Sequence, residues 1–349
     1  MRIAFVSQET VHHRETETNQ RFQDVVDGLS DRGHDVHVLC ARFWSGDHPT
    51  FEPEDVTYHG VAVDPGTRRS FATRLPFALR SVTPDVIHAS VEPPEQVRAA
   101  KWGSLLTGAP LFLEWYGDGG FPDDGAHRRA ADVADRILTP SRLVRTRVRE
   151  LEADADRIEV IPNPIDVDLI RETEPADRID VVYARKLDEE ANVESLLLAL
   201  AELRSRDWSA TIIGDGPERG TYERLARDLR IEDRVTFAGD LDLEERIAIY
   251  RGAHVFAQTA HHCVFPTELL RALAAGCVGI VEYHVDSSAH ELVEGRERGF
   301  RVTSEDELTS AIVEAGSLEH RDYDDSFSGY DRRKVLGQYV RCYRDLIEE

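Results

Sequence analysis

Apolar positions fall into two alternating rhythms along the chain. Short, nearly continuous apolar runs of the kind buried strands carry alternate with stretches whose apolar residues recur about every three to four positions, the helical period. In the first half this predicts strands at Arg2–Ser7, Val36–Cys40, Val86–Ala89, Pro110–Glu114 and Arg136–Thr139. Helices are predicted at Arg21–Arg32, where Phe22, Val25, Val26 and Leu29 share a face, and at His127–Ala134 and Ser141–Leu151. The second half is more regular. Strands at Ile179–Tyr183, Trp208–Ile213, Val235–Ala238, Val255–Gln258 and Gly279–Tyr283 alternate with helices at Val193–Arg206, Thr221–Leu229, Glu244–Tyr250 and Thr267–Ala275. A final helix, Tyr330–Glu349, carries Val335, Leu336, Tyr339, Val340, Tyr343, Leu346 and Ile347 at helical spacing, so it must pack on something. Strand–helix alternation of this kind predicts an α/β protein with parallel sheets. The prolines of Ile161-Pro-Asn-Pro-Ile-Asp166 mark the expected linker between two doubly wound domains, with ligands on the loops after the strands.

Composition narrows the picture. The 349 residues are more than one compact core usually carries, and 41% hydrophobic content is ample for two. No apolar run is long enough to span a bilayer, and Met1–Ser7 is too short for a signal peptide, so a cytoplasmic location is expected. The formal charge of −24 excludes a nucleic-acid partner. Only Lys101, Lys186 and Lys334 are lysines, and an acid-rich, lysine-poor globular chain suggests adaptation to concentrated salt. Cys40, Cys263, Cys277 and Cys342 lie far apart and read as packing residues.

Three strand-to-loop junctions carry candidate chemistry. After Ile212-Ile213, Gly214-Asp215-Gly216-Pro217 forms a tight turn that lets backbone approach a ligand, or simply turns strand into helix. Phe265-Pro266-Thr267-Glu268 opens a helix that ends at Gly276. Its free amides suit a diphosphate, with Glu268 in reach of sugar hydroxyls or merely complementing the helix dipole. Arg185-Lys186 follows a strand and suits a pyrophosphate clamp, or is a solvated charge pair. In the first half, Glu114-Trp115-Tyr116 and Asp118 combine aromatics with carboxylates, as sugar recognition requires, or form a half-buried loop. Between Asp64 and Asp85 there is no acid, yet Arg68, Arg69, Arg74 and Arg80 stand among Phe71, Leu75, Phe77 and Leu79. That island, residues 67–80, suits an anionic membrane or a lipid-linked phosphate, with Pro76 expected to interrupt any continuous helix. The pairs His12-His13 and His261-His262 lack metal-ligand spacing, and no metal is expected.

The ordered set of motifs resembles the GT-B glycosyltransferases of the family 4 type over nearly the whole chain. It comprises Met1–Ser7, Asp31-Arg-Gly-His-Asp-Val-His-Val38, Pro84–Ala89, Ala134–Ser141, Arg157–Asp166, Asn192–Leu200, Gly214–Pro217 and Arg234–Gly239. The resemblance implies two Rossmann-like domains facing across a cleft. Residues 1–165 with the returning helix 328–349 form the acceptor side, and 166–327 bind a nucleotide sugar. It implies transfer of that sugar, with retention, to a glycan or lipid-linked acceptor, without cofactor or metal. Donor-binding residues are then Arg185, Lys186, Gly214, Asp215, Gly216, Pro217, Phe265, Pro266 and Thr267. Glu114, Trp115 and Asp118 are expected on the acceptor side, and Glu268 and Tyr116 at the reacting centre. Glu268 is assigned from its place in the helix rather than from the family. The chain departs from the family pattern at several points. Cys263 and Arg271 stand where the family carries paired glutamates, Ala191 replaces a phosphate-binding Lys, Thr16 and Glu17 replace a glycine pair, and Tyr116 replaces a His. The alternative is a catalytically degenerate chain that partners an active transferase or membrane complex.

Overall fold

The computed structural model describes residues 1–53, 55–117, 120–122 and 124–348. They form two compact units, 1–163 with 333–349, and 164–332.

The first unit is built on eight strands: β1 (Arg2–Val6), β2 (Asp35–Ala41), β3 (Thr50–Phe51), β4 (Val56–Ala62), β5 (Val86–Ser90), β6 (Leu111–Glu114), β7 (Arg136–Thr139) and β8 (Ile158–Val160). Their order is β3-β4-β2-β1-β5-β6-β7-β8, parallel except where β3 meets β4. Its helices are α1 (Glu17–Ser30), α2 (Arg68–Val82), α3 (Pro94–Thr107), α4 (Gly125–Val133) and α5 (Arg142–Glu150). Thr16, Asp124 and Ser141 cap α1, α4 and α5 with their side chains, satisfying amides that a helix start leaves open.

One expectation fails here. Pro76 does not interrupt α2, which runs through it. Proline forfeits one backbone hydrogen bond, but Phe71, Leu75, Leu79 and Val82 are buried along one face and hold the helix down. Leu79 also rests on Gly103 of α3, where a Cβ would come within 2.3 Å of its Cδ1.

The second unit holds α6 (Val167–Glu172), β9 (Ile179–Ala184), α7 (Val193–Glu202), β10 (Ala210–Ile213), α8 (Arg219–Asp228), β11 (Val235–Gly239), α9 (Leu243–Gly252) and β12 (Ala253–Gln258). It continues with β13 (His262–Cys263), α10 (Thr267–Ala274), β14 (Val278–Glu282), β15 (Asp286–Ser287), α11 (His290–Val293), β16 (Gly299–Val302) and α12 (Glu305–Ala315). The main sheet runs β11-β10-β9-β12-β14-β16, all parallel. Alternate residues of β9 enter different cores. Val181 and Tyr183 pack under α7 and α12, while Val182 and Ala184 pack under α10. Both faces are therefore covered, which explains the unbroken apolar runs.

The last helix, α13 (Arg332–Glu348), belongs to the first unit from residue 333 onward. Val335, Leu336, Tyr339 and Tyr343 join the core formed by Phe5, Phe22, Val25 and Phe112. Leu336 sits against Gly28 of α1, where any Cβ would meet it at 2.4 Å. Residue 165 is bridged to residue 331, so the outgoing and returning segments are hydrogen-bonded to each other inside the second unit.

Candidate functional site

In the second unit the chain lays β9, β10 and β11 outward in one direction, then places β12 on the other side of β9. That reversal opens a crevice at the carboxyl ends of β9 and β12, where ligands of open parallel sheets bind. Three loops meet there. The residues after β9 and β10 are laced by backbone bonds, Leu187 N–H to the Asp215 carbonyl and Glu218 N–H to the Leu187 carbonyl, both 2.9 Å. Glycine makes this possible. A Cβ on Gly214, whose φ is +120°, would lie 2.1 Å from the Arg185 carbonyl oxygen, and one on Gly216 would lie 2.3 Å from that of Leu187. The third loop is tied in by Arg185, whose Nη1 donates to the His262 carbonyl at 2.6 Å.

Arg185, Lys186 and Gly214–Pro217 are thus tied together, and Arg185 also holds, at His262, the loop that leads into Phe265–Thr267. Arg185 is half-buried, and among the described residues its Nε has no hydrogen-bond partner. Lys186 is exposed. Asp215 is exposed too, but pairs with Arg219 at 3.1 Å. Phe265 and Pro266 are buried, Thr267 is half-buried, and no side chain caps the start of α10.

Glu268 differs from the sequence expectation. Its Oε1 is 2.7 Å from Arg246 Nη1 and 2.5 Å from Arg271 Nη1, and its Oε2 accepts from the Tyr250 hydroxyl at 2.6 Å. Both oxygens are committed to joining α9 and α10. Burial, then the Glu268 charge, pushes the Tyr250 phenol well up, so Tyr250 stays a donor to the carboxylate. Glu268 is therefore a packing ion and not an open contact for sugar hydroxyls.

The acceptor-side group is corrected as well. Glu114, Trp115 and Tyr116 are at most 2% exposed inside the first unit. Glu114 Oε1 accepts from Arg21 Nε at 2.9 Å. Oε2 lies 3.2 Å from the Tyr339 hydroxyl and 3.2 Å from His88 Nε2. Arg21 reaches Asn163 Oδ1 at 2.5 Å and the Ile161 carbonyl at 2.7 Å, while Tyr343 meets His88 Nδ1 at 2.5 Å. Burial alone would raise the Glu114 carboxyl, but the Arg21 guanidinium and His88 hold it below its ordinary value. Tyr116 donates to Glu17 Oε2 at 3.2 Å and accepts from Asn163 at 3.1 Å. This is a closed internal network that anchors α13, not a sugar-facing surface. Asp118 lies outside the described residues.

The sequence reading missed Asn192, Glu282 and His284, which surround the same crevice. Asn192 takes a left-handed conformation (φ 49°) and donates to the Thr259 carbonyl at 2.9 Å, pinning the start of α7 to the segment after β12. Among the described residues no group of three or more His, Cys, Asp or Glu side chains is arranged to hold a metal ion. No helix among them is long and apolar enough to cross a membrane.

Comparison with known proteins bears on both units. Residues 16–164 match the family described as Glycosyl transferase 4-like domain, and residues 166–329 match Glycosyl transferases group 1. A GDP-mannose-dependent alpha-(1-6)-phosphatidylinositol monomannoside mannosyltransferase of Mycolicibacterium smegmatis is 28% identical over 211 residues, 56% of this chain and 53% of that protein. An alpha-monoglucosyldiacylglycerol synthase of Streptococcus pneumoniae is 26% identical over 132 residues, 37% of this chain and 30% of that protein. The matched region thus spans about half the length of the first of these relatives, or less. Among solved structures, a glycosyltransferase from Rickettsia africae superposes with a TM-score of 0.80 at 14% identity, covering 100% of this chain and 99% of that one. An Anabaena protein solved with UDP and glucose superposes at 0.72 and 16% identity, covering 99% of this chain and 100% of that one.

Proposed function

The chain belongs to the GT-B glycosyltransferases that join a 4-like domain to a group 1 domain, and from that premise we propose that it transfers a sugar from a nucleotide-sugar donor to a hydroxyl-bearing acceptor. The observation that carries this reading is the convergence of Arg185, Lys186, Gly214–Pro217 and the uncapped start of α10 around the β9–β12 crevice. Arg185 and Lys186 supply two positive charges, and among the described residues Arg185 Nε has no hydrogen-bond partner. Those groups and the first-turn amides of α10 suit a diphosphate in the bound donor and stabilise it as a leaving group. No metal is assigned to the step. Configuration at the sugar is retained. The acceptor attacks the face from which the diphosphate departs, through an oxocarbenium-like state, and no enzyme nucleophile is assigned.

We propose a lipid-linked acceptor met at the cytoplasmic face of an anionic membrane. The relatives named above carry glycolipid names, and the first unit has a surface suited to that encounter. On α2, Phe77 is 71% exposed beside Arg69, Arg74 and Arg80, with no acid on the helix. On α3, Trp102 (63%), Leu105 (69%) and Leu106 (44%) extend the apolar surface beyond residues 67–80. Arginines interleaved with exposed aromatics are the composition of an interfacial helix pair.

Calorimetry with a panel of UDP- and GDP-sugars tests the donor reading. Specific binding of one of them, lost on replacing Arg185 and Lys186 by Ala, supports it. A folded chain that binds none of the panel sinks it and leaves the non-catalytic partner as the better account. Sedimentation with anionic and with neutral lipid vesicles tests the surface, since equal recovery with both removes the membrane assignment.

A further inference from the structure

The second unit gathers arginines at the end of its sheet opposite the crevice. Arg296 and Arg298 lie on the loop that leads into β16, Arg321 follows α12, and Cys277 precedes β14. Together with Leu273 of α10 and Phe327 they line a cavity of about 220 Å³. The chain's formal charge is −24, yet among the described residues none of these three arginines pairs with a carboxylate. Arg298 is 8% exposed and gives Nη1 to the Glu319 carbonyl at 2.7 Å and Nη2 to the Gly276 carbonyl at 2.8 Å. Arg296 donates from Nη1 to Ser326 Oγ at 2.9 Å and lies over the Phe327 ring, 4.0 Å from its centroid. The Arg321 side chain is exposed and, among the described residues, has no hydrogen-bond partner. Glu297 and Asp324 also line the cavity, and Asp324 Oδ1 accepts from the Ser326 amide at 2.9 Å. Cations therefore outnumber carboxylates. Burial, then repulsion from Arg321, holds the Arg298 guanidinium below its ordinary value.

We propose that this cavity binds a phosphoryl dianion, either as free phosphate or at the end of a small monoester. Such a group presents several strong acceptor oxygens and close to two negative charges. Guanidinium forks meet those oxygens in pairs, with charge-assisted hydrogen bonds that a lone ammonium cannot match. Arg298 is fixed by its two carbonyl partners, so the rest of its fork is held in place before an anion arrives. Arg321 brings a charge not yet spent on a partner, and an anion between the two offsets their repulsion. The cavity is smaller than the roughly 300–1,000 Å³ of sites for drug-sized ligands, so any organic body on the phosphate is small. Leu273 and Phe327, both buried, offer that body an apolar wall. Leu273 belongs to the last turn of α10, whose first turn stands at the donor crevice. The helix has eight residues, about 12 Å in length. The site is therefore separate from the diphosphate position and does not depend on the donor reading.

The test is calorimetry at about pH 8, where the phosphoryl group is a dianion, in the lowest salt at which the chain still melts cooperatively. The probes are inorganic phosphate and glycerol 3-phosphate, with sodium chloride of matched ionic strength as the blank. At least one of them is expected to bind, and equally well to the wild type and to the variant carrying Arg185→Ala and Lys186→Ala. Arg321→Ala, an exposed substitution, should weaken that binding about tenfold, the worth of one charge-assisted hydrogen bond, with the melting midpoint unchanged. Arg321→Lys restores the charge but not the fork, and should recover only part of the loss. Tighter binding of glycerol 3-phosphate identifies a monoester as the ligand, and tighter binding of inorganic phosphate identifies the free ion. Binding that disappears in the Arg185→Ala, Lys186→Ala variant and survives Arg321→Ala overturns the proposal, because the phosphate then sits in the donor crevice. No heat beyond the chloride blank, or equal binding by wild type and Arg321→Ala, also overturns it.

Discussion

Glu114 and Glu282 stand at equivalent places, each the last residue of a parallel strand, one in each unit. Their surroundings differ. The Glu114 side chain is 2% exposed and meets Arg21, His88 and Tyr339. The Glu282 side chain is 12% exposed, is held by one neutral amide, and backs two imidazoles of which the outer is open to solvent. The first carboxylate is consumed by architecture; the second still has an outlet. The strand end that a doubly wound fold reserves for chemistry has been turned into internal bracing in the first unit and left available in the second. A carboxylate at a strand's carboxyl end is thus a site only where its counter-charges leave it a path to solvent.

The largest expected effect belongs to Glu114→Ala. It leaves the Arg21 guanidinium buried without its counter-charge, and should cost about 3–5 kcal/mol in urea unfolding. A midpoint equal to the wild type would erase the contrast between the units. In the second unit the structural demand falls on backbone. Gly214→Ala puts a Cβ against the Arg185 carbonyl at a φ of +120°, and should cost roughly 2 kcal/mol while parting the two loops and weakening donor binding. Arg185→Ala with Lys186→Ala should lower donor affinity by about 2 kcal/mol, some thirtyfold, with melting almost unchanged. A comparable loss of stability would mean these cations brace the fold as Arg21 does.

The smallest effect sharpens the first unit's side. His59 Nε2 lies 2.9 Å from His37 Nδ1, and burial, then the His37 charge, pushes His59 down to about 4. The unfolded chain takes up that proton near its ordinary value, about 6.5, whereas the folded chain resists until about 4. Between those limits the unfolded state binds more protons, so the contribution is intact above about 6.5 and lost as pH falls toward about 4. His59 is part-exposed, so screening limits the effect to about 1 kcal/mol. Urea midpoints of wild type and His59→Gln at both ends of that range should differ in their pH dependence by this amount.

The alternation of strands and helices was readable because both sheets are covered on both faces, which makes the apolar runs continuous. What it concealed were elements whose signal is split. Helix α2 contains a proline, and the face that holds it down includes Leu79 packed on Gly103, a contact outside any local window. The junctions after β9, β10 and before α10 were legible since backbone geometry demands Gly, Pro and a helix start at fixed places. Glu114 and Glu268 were misread for the opposite reason. Arg21 is 93 positions from Glu114 and Tyr339 is 225, and for Glu268 only Arg271 is near in sequence, while Arg246 is 22 positions away and Tyr250 is 18. His261 was visible as half of a histidine pair, but its partner in space is His284, not His262.

The return of α13 to the first unit also sets an order of biosynthesis. The second unit is one uninterrupted stretch, 164–332, and all of its strands precede α13 in the chain. The first unit, though translated earlier, lacks Tyr339 and Tyr343 until then, and with them the groups that close over Glu114 and His88. Domains usually mature in the order of their synthesis. Here the second unit is contiguous in sequence, whereas the charged centre of the first closes only when a segment from beyond the second unit has joined it.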